Sequence, residues 1–338
     1  MKKIKDYLII LVLLVPLVSC VDTEEQDDTP TGNFEALWKT MDEHYCFFDY
    51  KQQEYGLDWQ AVYGKYRMRI SDHMTTTQLF EVLCDMLGEL RDGHVNLSSA
   101  KDYGRYWKWQ EAYPQNFSDT LYRHYMKTDY QIASALSYRV LDDGIGYVRC
   151  PTFESTIGEG NLDEILSYLI FCKGIIIDIR NNGGGDLTMA ERLAGRFVHE
   201  KTLVGYMCHK TGPGHNEFSS LQEIWLEPSK NVRWHKPVCV LTNRSVYSAA
   251  NYFAFIMRAL PGVRLVGDHT GGGSGMPMSN SLPNGWKVRY SACPMFDSNK
   301  QHTEFGIDPD IMVNMSEASK AENKDDIIEE ARKIIHQL

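Results

Sequence analysis

No Cys-x-x-Cys pair and no His-Glu-x-x-His occurs in these 338 residues. A structural zinc ribbon and a zincin site therefore both lack the ligand spacing they need, and no metal site is expected. No dense Lys/Arg patch interrupts a chain of formal charge −10, which argues against a nucleic-acid partner. No apolar run reaches the roughly 20 residues that span a bilayer as a helix. There is no internal repeat. The glycine run at 183–185 is followed by no Gly-Lys-Ser/Thr and lacks the Gly-x-Gly-x-x-Gly spacing, so a phosphate cradle is disfavoured. The eight cysteines show no repeating spacing. Setting Cys20 aside leaves an odd number, so at least one thiol cannot pair within the chain.

What is present begins with an address. Lys2, Lys3 and Lys5 precede an apolar stretch from Tyr7 to Val18, as in a secretory signal. It closes on Leu17-Val18-Ser19-Cys20, which resembles a bacterial lipobox. The expectation is a signal peptide over 1–19, removed to leave an acylated Cys20 as the first mature residue. Residues 20–32 have almost nothing apolar to bury and read as an acidic, solvated tether. A lipid-anchored protein of the bacterial cell envelope follows, in the outer membrane and facing the periplasm or the surface. The lipid is its expected contact with the membrane.

The body, with 43% hydrophobic residues, is large enough for two packed units. Residues 33–99 read as a helical subdomain. Phe34, Leu37, Trp38, Met41 and Tyr45 recur at helical spacing, as do Trp59, Val62, Tyr63 and Tyr66 behind an Asp58 cap. A third helix opens at Thr75 with Gln78 in the capping-box position. Residues 100–143 show no clean period and read as a connecting segment. Residues 144–338 alternate strand and helix, which implies an α/β core. Gly174 to Arg180 contains a continuous apolar run of the kind buried on both faces. Asp325–Leu338 is an amphipathic helix carrying Ile327, Ile328, Ala331, Ile334 and Ile335 on one side.

Chemistry is expected where polar or glycine residues end apolar elements. Arg91-Asp92-Gly93-His94-Val95 closes a helix; alone it reads as a C-cap glycine followed by an exposed histidine. Asp178 to Gly185 runs a buried strand into three glycines, whose N–H groups suit an oxyanion hole. Asn243 to Asn251 turns a strand into a helix with Ser248 at the start of that helix, where the Ala249 N–H is free to donate. Ser245, earlier in the turn, fits a capping role. Glu304 to Ile311 is a carboxylate-rich turn around Gly306 and Pro309.

Five motifs in order resemble the C-terminal-processing (tail-specific) serine proteases, in their branch with the tricorn core and the interphotoreceptor retinoid-binding protein. They are Asp92-Gly93-His94, Asp178 to Gly185, Ser248-Ala249-Ala250, Gly267 to Gly272, and Gly306 to Asp310, spread across roughly 33–338. The resemblance implies a ClpP/crotonase-like sheet-and-helix core with an N-terminal helical subdomain. The interval 100–143 is too short for the PDZ domain that many members insert. It also implies a peptidase acting on peptides or proteins through an acyl-enzyme on Ser248, without a cofactor. Gly183 or Gly184, with Ala249, would donate to the oxyanion. No lysine follows Thr270 in the glycine turn, so the Ser–Lys variant is disfavoured. His94 becomes the general base, and Glu304 the group that orients it. The tricorn-like pattern has a serine where Gly93 stands, so the Glu304–His94 link is direct or through water. An imidazole base predicts an acid limb of activity at roughly pH 6 to 7. The alternative on this fold is a non-hydrolytic ligand- or peptide-binding protein.

Overall fold

The computed structural model describes residues 26–108 and 113–337; the expected signal peptide and the lipidation site Cys20 lie outside them. Four helices come first: α1 (Pro30–His44), α2 (Phe48–Tyr55), α3 (Trp59–Arg67) and α4 (Thr76–Gly88). Asp58 caps α3 by accepting the Ala61 N–H. Thr75 and Gln78 form the full reciprocal capping box of α4. The helix α2 has no counterpart in the sequence reading. It buries only Phe48 and Lys51, too little for a periodic signal.

Two sheets follow. Short strands β1 (Asn96–Ser98) and β2 (Tyr103–Arg105) lead to α5 (Asp119–Met126), and then come β3 (Gln131–Ala133), β4 (Leu136–Val140) and β5 (Gly146–Arg149). Next are α6 (Glu159–Tyr168), β6 (Ile175–Asp178), α7 (Leu187–Ala194), β7 (Thr202–Met207) and β8 (Gln222–Leu226). The chain continues through β9 (Val238–Thr242), α8 (Ala249–Arg258), β10 (Val263–Gly267), β11 (Gly275–Ser281) and β12 (Lys287–Asp297). It ends with β13 (Ile311–Met312), α9 (Glu317–Ala321) and α10 (Asp326–Gln337).

The larger sheet has the order β13-β10-β9-β6-β5-β4-β3, parallel from β13 to β5 and antiparallel beyond. Successive strand residues point to opposite faces, and both faces are covered. Ile175 and Ile177 of β6 pack with α6, α7 and α8, while Ile176 packs with Ile327, Ile328 and Ala331 of α10.

The second sheet runs β2-β1-β12-β7-β8, with β11 also on β12. Its inner face carries Leu97, Val288 and Tyr290, which share one core with Phe34, Leu37, Trp59 and Leu83 of the helices. The helical subdomain is thus completed by residues some 200 positions later. The boundaries drawn at 100 and 144 also need correction. β3 and β4, inside the supposed connecting segment, extend the large sheet by antiparallel pairing to β5. They are short, and β3 is half exposed, so no apolar alternation marked them.

Candidate active site

The site lies at the C-terminal ends of β6 and β9, where an open parallel sheet places its ligands. Beyond β6, Arg180 is fully buried and pairs with Asp178 at 2.7 Å and Asp325 at 2.8 Å, which fixes the root of the glycine loop. Asn182 is also buried, donates to Cys150 O, and accepts the Gly184 N–H at 2.9 Å. Gly184 has φ +105, and a Cβ there would stand 2.8 Å from Ser248 Cβ and 2.9 Å from Ala249 N. Only glycine lets this loop press against the turn that carries Ser248.

Beyond β9, buried Asn243 ties the two loops by accepting the N–H groups of Asn181 and Ser245. Ser248 then adopts φ 56, ψ −124, a conformation costly for a residue with a Cβ. It stands at the N-cap of α8, yet its side chain caps nothing. Its N–H donates to Gly272 O at 2.9 Å, and its Oγ lies 2.9 Å from His94 Nε2. The strained strand-to-helix turn exposes the oxygen and leaves the Ala249 N–H without an acceptor among the described residues. The Gly183 N–H likewise has no acceptor among the described residues. Gly184 departs from expectation, because its N–H is already engaged by Asn182 within its own loop.

His94 is not the exposed residue of the bland reading; it is 3% exposed. Asp92 builds its turn, accepting the His94 N–H at 2.7 Å on Oδ1 and the hydroxyls of Tyr45 and Ser291 on Oδ2. Burial pushes the imidazole down to about 4, against the pull of Asp92 and with the help of Arg289 and Arg105. At neutral pH the ring is uncharged, and Nε2 can accept the Ser248 proton.

Glu304 makes no direct hydrogen bond to His94, one of the two links left open by the sequence. Its Oε2 accepts the Ser274 N–H at 2.9 Å and its Oε1 faces Lys51 Nζ at 3.3 Å. The backbone sets this aim. Gly273 N donates to Glu304 O, and Gly272, at φ +83, has no Cβ to block that approach. Gly93 brings no hydroxyl to bridge the gap. Buried His94 Nδ1 has no hydrogen-bond partner among the described residues. Glu304 meets Lys51, which in turn lies 3.9 Å from Asp92 Oδ2.

Lys51 is the residue sequence reasoning missed. It is completely buried and donates to Leu90 O at 2.6 Å as well as to Glu304. Its setting, Asp49-Tyr50-Lys51-Gln52-Gln53-Glu54, reads as a solvated helix face, so no local signal marked it. Burial, with Asp92 adding to it, raises the Glu304 carboxyl to about 8 despite Lys51. Burial would raise Asp92 too, but Lys51 and His94 outweigh it and hold that carboxyl below its usual range. At neutral pH Asp92 is therefore the ionised carboxyl of this cluster and Glu304 the protonated one.

Comparison with known proteins bears on the family and the fold. The profile of peptidase family S41 matches residues 144–313, and that of the tricorn protease C1 domain matches residues 26–88. A candidate peptidase from Parabacteroides merdae, solved by crystallography, is 49% identical with a TM-score of 0.87. That match covers 91% of this chain and 97% of the other. Mature CPAF shares the fold at TM-score 0.68 and 13% identity, over 91% of this chain and 96% of its own. The carboxy-terminal processing protease CtpA of Bacillus subtilis is 24% identical over 182 residues, 53% of this chain and 37% of that protein. The chain thus spans little more than a third of the length of that curated relative.

Proposed function

The chain belongs to peptidase family S41, and on that premise we propose that it cleaves peptide bonds through an acyl-enzyme on Ser248, with His94 as general base. The observation that carries the reading is the 2.9 Å contact between His94 Nε2 and a Ser248 Oγ held out by a strained backbone. Neutral His94 takes the hydroxyl proton as Oγ attacks the carbonyl carbon. The tetrahedral oxyanion accepts the N–H groups of Ala249 and Gly183. The imidazolium returns its proton to the departing amine, and Asp92, the nearest ionised carboxylate, steadies the charge meanwhile. Water attacks the acyl-enzyme with the same base and releases the second product. Glu304 acts in this scheme as a neutral partner of Lys51 rather than as the group that orients His94.

Hydrolysis of an unfolded protein tests this. Ser248→Ala should lose on the order of 10³-fold or more in turnover, and Ser245→Ala almost nothing. Near-full activity in Ser248→Ala would remove the nucleophile assignment, whereas a wild type without hydrolytic activity would leave a binding protein on the peptidase fold.

We further propose that the protein is anchored to the bacterial envelope by a lipid on Cys20. The support is Leu17-Val18-Ser19-Cys20 at the end of a short apolar segment. Expressed from its own signal, the protein should sediment with membranes, and Cys20→Ala should release it. An unmodified mature N-terminus beyond Cys20 would contradict this.

A further inference from the structure

The outer face of the second sheet leads directly away from His94. In register across β2, β1, β12 and β11 stand Arg105, Asn96, Arg289 and Ser279. Directly paired residues of antiparallel strands share a face. The alternate residues Leu97, Val288 and Tyr290 lie in the core under the helices, so Arg105, Asn96 and Arg289 face the other way. Asn96 ties this row to the site by donating to His94 O at 3.0 Å. One row farther out, Lys287 pairs with Ser98.

These three cations meet no carboxylate among the described residues. Arg105 donates to Gly93 O and lies 3.4 Å above the Trp107 ring, but meets no carboxylate among the described residues. The side chains of Arg289 and Lys287 have no hydrogen-bond or ion-pair partner among them either. An otherwise acidic chain, of formal charge −10, thus keeps beside its candidate catalytic histidine a cationic strip that meets no carboxylate among the described residues.

We propose that this face binds an acidic stretch of the substrate on the leaving-group side of the scissile bond, with Arg289 and Arg105 as specificity-determining residues and Lys287 extending the strip. The side follows from proton transfer: the base must hand its proton to the departing amine, so the leaving half of the substrate lies toward His94. The spacing follows from strand geometry. Rows two residues apart are roughly 7 Å apart, and an extended peptide advances about 3.3 Å per residue, so the preferred carboxylate falls about two to four residues beyond the cut. The inference deepens the peptidase reading and rests on it.

The test digests a mixture of unfolded proteins with the full chain and maps every cut by mass spectrometry. Asp and Glu should be enriched about three- to fivefold at the second to fourth positions after the cut, the size expected of one or two partly exposed charge pairs. In Arg289→Glu the enrichment should vanish and Lys should replace it. Lys287→Glu, an exposed position, should weaken it at the farther positions and guards against misfolding of the first variant. Substrates with amidated chain ends separate the two sources of carboxylate. Enrichment that survives amidation assigns it to side chains; enrichment confined to chain ends and abolished by amidation assigns it to the terminus, and either keeps the cationic face. Cuts without charge preference, or the same preference in Arg289→Glu, overturn the inference while leaving the peptidase intact. No cuts at all overturn both.

Discussion

Lys51 Nζ and Glu304 Oε1 stand 3.3 Å apart with both side chains essentially out of solvent, although 253 positions separate them in the chain. This contact joins α2 to the turn before β13 and so holds the helical layer, with His94, against the sheet that carries Ser248. Removing Lys51 leaves the buried Asp92 carboxylate without its cationic neighbour and Glu304 without its donor, which costs about 3–5 kcal/mol. Lys51→Met should therefore lower unfolding stability strongly in denaturant titrations. The double variant Lys51→Met/Glu304→Gln should lose less than the sum of the two single variants, because the shared contact is lost only once. Additive losses would show that the two groups do not interact.

Glu304 also makes stability depend on pH. Its folded value is raised to about 8, above the ordinary carboxylate range. Its contribution is thus fully present below the unfolded value and lost as pH rises through about 8. Wild-type Tm should fall as pH rises from the ordinary carboxylate range to about 8 and level off above it, as far as this group is concerned. Glu304→Gln should flatten that part of the profile, and an unchanged slope would contradict the assignment.

The acid side belongs to His94. With its folded value lowered to about 4 by burial, the ring stays neutral and able to accept a proton through the range where free imidazole titrates. The acid limb of kcat/KM should accordingly lie near pH 4 rather than at the roughly 6 to 7 of an unperturbed histidine. The depressed value also means that its stability contribution is present above the unfolded value, about 6.5, and is lost as pH falls toward 4. A kinetic limb at 6 to 7 would show a solvated ring in the free enzyme.

Strain at Ser248 gives a prediction independent of chemistry. Its φ of 56 suits glycine. Ser248→Gly should be more stable than Ser248→Ala by about 1 kcal/mol while both are inactive. Equal stabilities would mean that the turn relaxes once the hydroxyl is gone.

Gly184→Ala probes the neighbouring loop. The new Cβ would lie 2.8 Å from Tyr247 O and 2.9 Å from Ala249 N, both backbone atoms that cannot swing aside. The proposed oxyanion donor should shift, with a loss of about 10²-fold or more in kcat. Near-normal kcat would remove Ala249 from that role.

Local patterns carried much of this fold into the sequence. The run Ile175-Ile176-Ile177 announced a strand covered on both faces, and α10 buries Ile327, Ile328, Ala331 and Ile335. Thr75 and Gln78 marked the start of α4. What stayed hidden depends on distant partners. β3 and β4 exist because β5 offers an edge to pair with, and Lys51 is buried because Glu304 and Asp92 surround it. The Asp92 side chain was equally illegible, since its three acceptor contacts come from Tyr45, His94 and Ser291, spread over the chain. Motif order drew attention to His94 and Ser248, but not to the redirection of Glu304 toward Lys51.

The central claim is that Ser248 is activated by His94, and the rate of labelling by a fluorophosphonate probe measures it directly. Peptide mapping should find the adduct on Ser248, with none in Ser248→Ala. His94→Ala should label about 10²-fold more slowly or worse, since a positioned base supplies that much. Labelling on another serine, or wild-type rates in His94→Ala, would contradict the account.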